Sequence, residues 1–205
     1  MGSCCNNECE LTAADNGQRR TLRIVLGVNA VMFVVIVTAA VSGSSSSLLA
    51  DSLDNLGDAL TYGVSLFAVG KAASTKAKVA FLKGGLILLA ALAVAGQIIY
   101  KLASPTLPSY EIMGVFSLLG LTANSACLFL LWRHRNEDVN MSSVWECSRN
   151  DIASNLSVFV AAGAVWFVGA GWPDVVVAAG LVILLLRSAI RVNLSAWRTL
   201  RTAST

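Results

Sequence analysis

The chain has 205 residues, 56% hydrophobic and 13% charged, with a mean hydropathy of +0.69. A soluble domain averages about 45–50% apolar and about 25% charged residues, and its interior could not hide this much apolar surface. The composition excludes a soluble enzyme, a secreted globular protein and a disordered chain, and a net charge of +3 gives no reason to expect a nucleic-acid partner.

A helix needs about 20 mostly apolar residues to cross about 30 Å of hydrocarbon. Six segments qualify: Leu22–Val41, Leu48–Gly70, Val79–Leu102, Tyr110–Trp132, Ser143–Gly171 and Asp174–Trp197. The expected fold is therefore all-α and integral to the membrane, with six transmembrane helices in residues 21–201 after a tail at 1–20. The first apolar run is long enough to span, so it should remain in the protein. No soluble domain is expected after the last span. Ser42–Ser47 reads as a polar turn, Lys71–Lys78 as a basic connection, Ser104–Ser109 as a proline-bearing loop and Arg133–Ser142 as a charged loop. With the N-terminus inside, twelve of the fifteen Lys and Arg residues fall on inner segments; the exceptions are Lys101, Arg149 and Arg187. That bias predicts both termini in the cytoplasm.

The N-terminal tail holds Cys4, Cys5 and Cys9 beside Glu8 and Glu10. In a reducing compartment they stay thiols, and such a cluster suits capture of a soft metal; its spacing fits no standard zinc module, so an unstructured tail is the alternative.

The second span, LLADSLDNLGDALTYGVSLFAVG, is not a plain apolar run. Asp51, Asp54 and Asp58 stand at i, i+3 and i+7. At about 100° per residue they fall within about 60° of one another, on one helix face. Charges inside the bilayer are costly and are expected to face the bundle interior. Three carboxylates on one face need protons or a cation. Asp51 has an alternative reading as an acidic residue at a helix start.

The third and fourth spans are plain. Asn29, Gln97 and Asn124 are expected to form interhelical hydrogen bonds, and Cys127 to be a packing residue. His134, the single histidine, lies in the charged loop and reads as solvated.

In the fifth span Cys147 and Asp151 share a face at i, i+4, close to Glu146, and Asn155 continues that face. If the faces of the second and fifth spans meet, Asp54, Asp58, Asp151 and Cys147 supply three carboxylates and a thiolate. Such an O and S set suits a tetrahedral, zinc-like or cadmium-like cation. An ion pair with Arg149 is the structural alternative for Asp151. Counted from the loops, Asp58 and Asp151 fall at different depths unless a helix tilts or protrudes.

Together these spans resemble the cation diffusion facilitator family of metal-ion/proton antiporters. The family's second-span motif, often A-D-x-x-(H/D)-x-x-x-D, stands here as Ala50-Asp51-Ser52-Leu53-Asp54-Asn55-Leu56-Gly57-Asp58. Its fifth-span H-x-x-x-D is matched by Cys147-Ser148-Arg149-Asn150-Asp151 with Asn140 upstream, and the opening of its last span by Pro173-Asp174-Val175. The resemblance covers about Arg19 to Arg201. It implies a transport site of Asp54, Asp58, Cys147 and Asp151; read from the residues themselves, Asp51, Cys4, Cys5 and Cys9 are candidate accessory metal ligands. It implies efflux of a divalent metal, Zn2+ or Cd2+ before Co2+, Fe2+ or Mn2+, in exchange for protons. The implied setting is a homodimer among membrane lipids, in a bacterial cytoplasmic membrane, with no enzymatic activity and no bound cofactor. Cys147 stands where the family has histidine, and no counterpart of the family's usual C-terminal ferredoxin-like domain is expected after the last span. The alternative function is a passive divalent-cation channel, ahead of a structural adaptor and a membrane metalloenzyme.

Overall fold

The computed structural model describes residues 16–68, 73–132 and 139–202. Among these the chain forms six helices and no strand: α1 (Asn16–Ser42), α2 (Ser46–Ala68), α3 (Ala73–Ala103), α4 (Tyr110–Trp132), α5 (Val139–Val168) and α6 (Trp172–Thr202). Each expected span falls on a separate helix; the fourth agrees end to end, and the fifth stops at Val168, short of the expected Gly171. Five helices, all but α2, are long and apolar enough to cross a membrane. α2 is 23 residues long, about 35 Å at 1.5 Å per residue, and holds three aspartates.

α2 packs against every other helix. The bundle around it has apolar side chains outward, with Val31, Val34, Leu89, Phe129, Phe167 and Leu184 all exposed, and polar ones inward. Asn29, Asp51, Ser52, Asn55, Asp58, Asn124, Asp151 and Asn155 are all buried. This inverts the order of a water-soluble core and suits lipid, which accepts apolar surface but penalises exposed charge. The chain is an integral membrane protein. Helix contacts use small residues such as Ala50, Ala91, Ala161, Ala178 and Ala189, which let backbones approach closely.

One end of the bundle is tied by a buried ion pair. Asp174, in the first turn of α6, has no exposed surface. It accepts hydrogen bonds from Ser46 N at 2.8 Å, Ser47 N at 2.9 Å, and the hydroxyls of Ser45 and Ser47 at 2.7 Å each. Lys101, at the end of α3, reaches Asp174 Oδ2 at 3.2 Å and also donates to Ser44 O. The first amides of a helix lack partners inside it. Here a carboxylate from another helix supplies them, and Ser45 Oγ caps Leu48 N at 3.1 Å.

This clasp corrects three expectations. The polar turn expected over Ser42–Ser47 is shorter and drier than its composition suggests: it occupies 43–45, α2 begins at Ser46, and Ser45, Ser46 and Ser47 are fully buried. Asp51 is not a helix-start residue, because the acid at that helix start is Asp174 in trans. Lys101 departs from the charge bias because it neutralises Asp174. Ser44 turns the chain with a φ of 49°, and Ser109 N donates to Gly43 O at 2.9 Å, so α4 starts at the same end. α5 closes there too, at Gly169, whose φ of +66° is the left-handed conformation that ends helices.

Removing one partner of a buried, hydrogen-bonded ion pair costs about 3–5 kcal/mol. Asp174→Ala should lose stability of that order, measured as a lowered midpoint of thermal unfolding in detergent. Asp174→Asn, which keeps one acceptor oxygen, should lose less.

Candidate metal centre

The clasp fixes the start of α2, and the helical repeat then sets what faces inward. Asp51, Asn55, Asp58 and Tyr62 recur at i, i+4, i+7 and i+11, and all four are buried. α5 presents Asp151 and Asn155 one turn apart, both buried as well. The carboxyl groups of Asp58 and Asp151 lie within hydrogen-bonding reach of each other. Of the four groups expected to meet, Asp58 and Asp151 come together. The depth mismatch is absent in the folded bundle, where α5 begins at Val139, before the expected Ser143.

Two carboxyl groups in contact away from water stay together only with a proton or a cation between them. The surroundings offer further partial compensation. Tyr62 Oη donates to Asp58 Oδ2 at 2.5 Å. Lys83 on α3 is within electrostatic reach of Asp58, and its ammonium donates to Thr61 Oγ1. Asp54 is half-buried at the edge of the stripe and interacts electrostatically with Asp51 and Asp151. Cys127 is buried on α4, packed with Leu22, Val25, Tyr62 and Leu131, as expected of a packing residue; it also lies within electrostatic reach of Asp151 and Asp58.

Among the described residues no three His, Cys, Asp or Glu side chains stand close enough to hold a metal ion. Cys147 belongs to α5 one turn before Asp151, but its side chain, like that of Glu146, lies outside the described residues. So do Cys4, Cys5, Cys9 and His134. Arg149 is exposed whereas Asp151 is buried against Asp58, so the geometry favours the acid pair over the Arg149 alternative. Asn29 differs from expectation: its amide nitrogen donates to Val25 O of its own helix at 2.9 Å.

Tyr62 and Lys83 went unread in the sequence. Tyr62 carried a usable signal, since Asp58-x-x-x-Tyr62 is an i, i+4 pair on a polar face. Lys83 had none, because its partner is set by the packing of α3 on α2.

The family model of the cation efflux transmembrane domain matches residues 22–200. No curated protein matches the chain.

Leaving a buried acceptor short of its donor costs about 1–3 kcal/mol. Tyr62→Phe should lower stability by that amount in the metal-free protein. In an Asp58→Ala background the same change should cost much less, and thermal unfolding of the four proteins in a double-mutant cycle measures the difference.

Proposed function

The chain belongs to the cation efflux family, and from that premise we propose that it exports a zinc-like or cadmium-like divalent cation in exchange for protons, by alternating access. Family membership makes it a membrane-embedded cation transporter of the cation diffusion facilitator kind. The observation that supports the finer reading is the meeting of Asp58 and Asp151, from two helices, inside a bundle whose outer surface is apolar.

In this reading Asp54, Asp58, Cys147 and Asp151 are the cargo ligands. Cys147 stands one helical turn before Asp151 in the sequence of α5, and Asp54 swings from the edge of its stripe toward the pair. Ligands must shed protons to take a metal, so loading releases protons on one side and protonation on the other expels the metal. The two half-cycles then exchange one cargo for the other. A thiolate among carboxylates biases the site toward softer cations. Cys4, Cys5 and Cys9 deliver metal from the cytoplasm, with both termini on that face of a bacterial cytoplasmic membrane. The functional unit is a homodimer packed through spans or loops.

The test is metal uptake into proteoliposomes under an imposed pH gradient. Asp58→Ala should reduce zinc or cadmium flux to background, and Asp54→Ala should weaken it severely. Normal transport by both variants would end the site assignment. Flux indifferent to the gradient, with no proton counterflow, would indicate a channel instead. Cys147→His should keep transport while shifting preference from cadmium toward zinc, and an unchanged profile would remove the thiol from the ligand set.

A further inference from the structure

Toward the clasp from the Asp58–Asp151 pair, the bundle holds a second set of buried polar atoms. Asp51 has no exposed surface, and neither of its carboxyl oxygens has a hydrogen-bond partner. Asn55 and Asn155 are 2% and 1% exposed, and each leaves its Oδ1 without a partner.

The two asparagines are set in the same way. Asn55 Nδ2 donates to Asp51 O at 3.3 Å, and Asn155 Nδ2 to Asp151 O at 2.8 Å. A backbone carbonyl only accepts, so each amide must turn its NH2 to its own helix and present its oxygen to the bundle. α2 starts at the clasp and α5 ends there, so the two helices are antiparallel. Asn55 lies three residues clasp-ward of Asp58, and Asn155 four residues clasp-ward of Asp151. The two amides therefore stand at one level, with Asp51 a turn beyond. Gly120 of α4 makes room for Asn155: a Cβ there would lie 1.9 Å from its Oδ1.

The resulting group has four acceptor oxygens, a formal negative charge and no sulfur. Asn124 Nδ2 on α4 is an orphaned donor, but it stands one turn beyond Gly120, away from the clasp, and one amide nitrogen cannot satisfy four oxygens. A bare buried carboxylate is too costly to persist. A proton on Asp51 would satisfy its charge but leave the amide oxygens unmet; water would satisfy lone pairs but not charge. A cation meets both needs. One carboxylate and two amide oxygens suit a hard, oxygen-seeking cation completed by water, unlike a thiolate-bearing set.

We propose that Asp51, Asn55 and Asn155 form a second, oxygen-only cation station, one to two helical turns clasp-ward of Asp58 and Asp151. Its role in transit rests on the transport reading above; its ability to bind a hard cation does not. Two divalent charges this close repel, so the two stations fill alternately.

The probe is Mn2+, followed by electron paramagnetic resonance on the purified full chain. In an Asp58→Ala/Asp151→Ala variant that elutes as the wild type does, saturable Mn2+ binding should persist. Adding Asp51→Asn should weaken it by about tenfold or more, which is at least one decade in Kd. Adding Gly120→Ala instead, which displaces the Asn155 amide without changing charge, should weaken it by a smaller factor. Absence of saturable Mn2+ binding in the double variant, or binding that Asp51→Asn leaves unchanged, overturns the station. If the double variant aggregates, the otherwise wild-type chain decides: Asp51→Asn should slow Mn2+ flux while equilibrium Cd2+ binding is kept, and equal Mn2+ flux overturns the proposal. Loss of Cd2+ transport in Asp58→Ala bears on the first site alone, so the two readings fail separately.

Discussion

The structure depends on keeping a charged helix out of lipid. α2 places Asp51 and Asp58 fully inside the bundle with Asp54 at their edge, and each charge would cost several kcal/mol if it faced hydrocarbon. The solution is positional. α2 contacts all five other helices, so its acidic stripe always meets protein. The close approach this demands explains the alanine-rich contacts and the fit of the Asn155 amide against Gly120. Tyr62 and Lys83 then attenuate the charge of Asp58 without cancelling that of the whole group. In the proposed function, the uncancelled remainder is what would draw a cation in.

Much of this was legible in the sequence because hydropathy and helical period act locally. Six apolar segments announced six helices, and the i, i+3, i+7 spacing of the aspartates placed them on one face before any packing was known. Asp151 at i+4 from Cys147 implied an opposing face, and the bundle brings Asp151 to Asp58. What stayed hidden depends on residues far apart in the chain. Asp174 and Ser46 are 128 positions apart, and no local pattern states that one caps the other. The serine run reads as a loop on composition, yet its hydroxyls and amides are the donors a buried carboxylate needs. Lys101 looked like a stray charge for the same reason. Asn29 shows the opposite limit: polarity inside a span predicted a partner on another helix, while its own backbone one turn back was nearer.

The clasp and the acidic stripe are two answers to one problem. At the clasp, a carboxylate is matched by an ammonium, two backbone amides and two hydroxyls, and its neighbours are sealed from solvent. A carboxylate so matched in charge and hydrogen bonds offers little to a ligand. Along the stripe, Asp58 has a phenol donor and an ammonium within electrostatic reach, Asp151 stands against Asp58, and the carboxyl oxygens of Asp51 have no hydrogen-bond partner. Chemically equal side chains thus become a structural tie in one place and a candidate ion path in another. The donor inventory around each decides which.

The order of the groups along α2 gives that path a direction. From the clasp inward come sealed serines, then Asp51 with oxygen neighbours, then Asp58 and Asp151 with the Tyr62 phenol, the Lys83 ammonium and the Cys127 thiol within reach. In the arrangement seen, the clasp end is shut, because Ser45, Ser46, Ser47, Asp51 and Asp174 are all without exposed surface. Reaching the acid pair from that side requires α2 to part from α3 and α6, the helices that the Lys101–Asp174 pair ties to its first turn. Opening there and holding the bundle together are therefore in conflict. In the proposed cycle a cation on the stripe would shift the balance, since it would supply the positive charge that the aspartates otherwise lack and lessen their dependence on the surrounding helices.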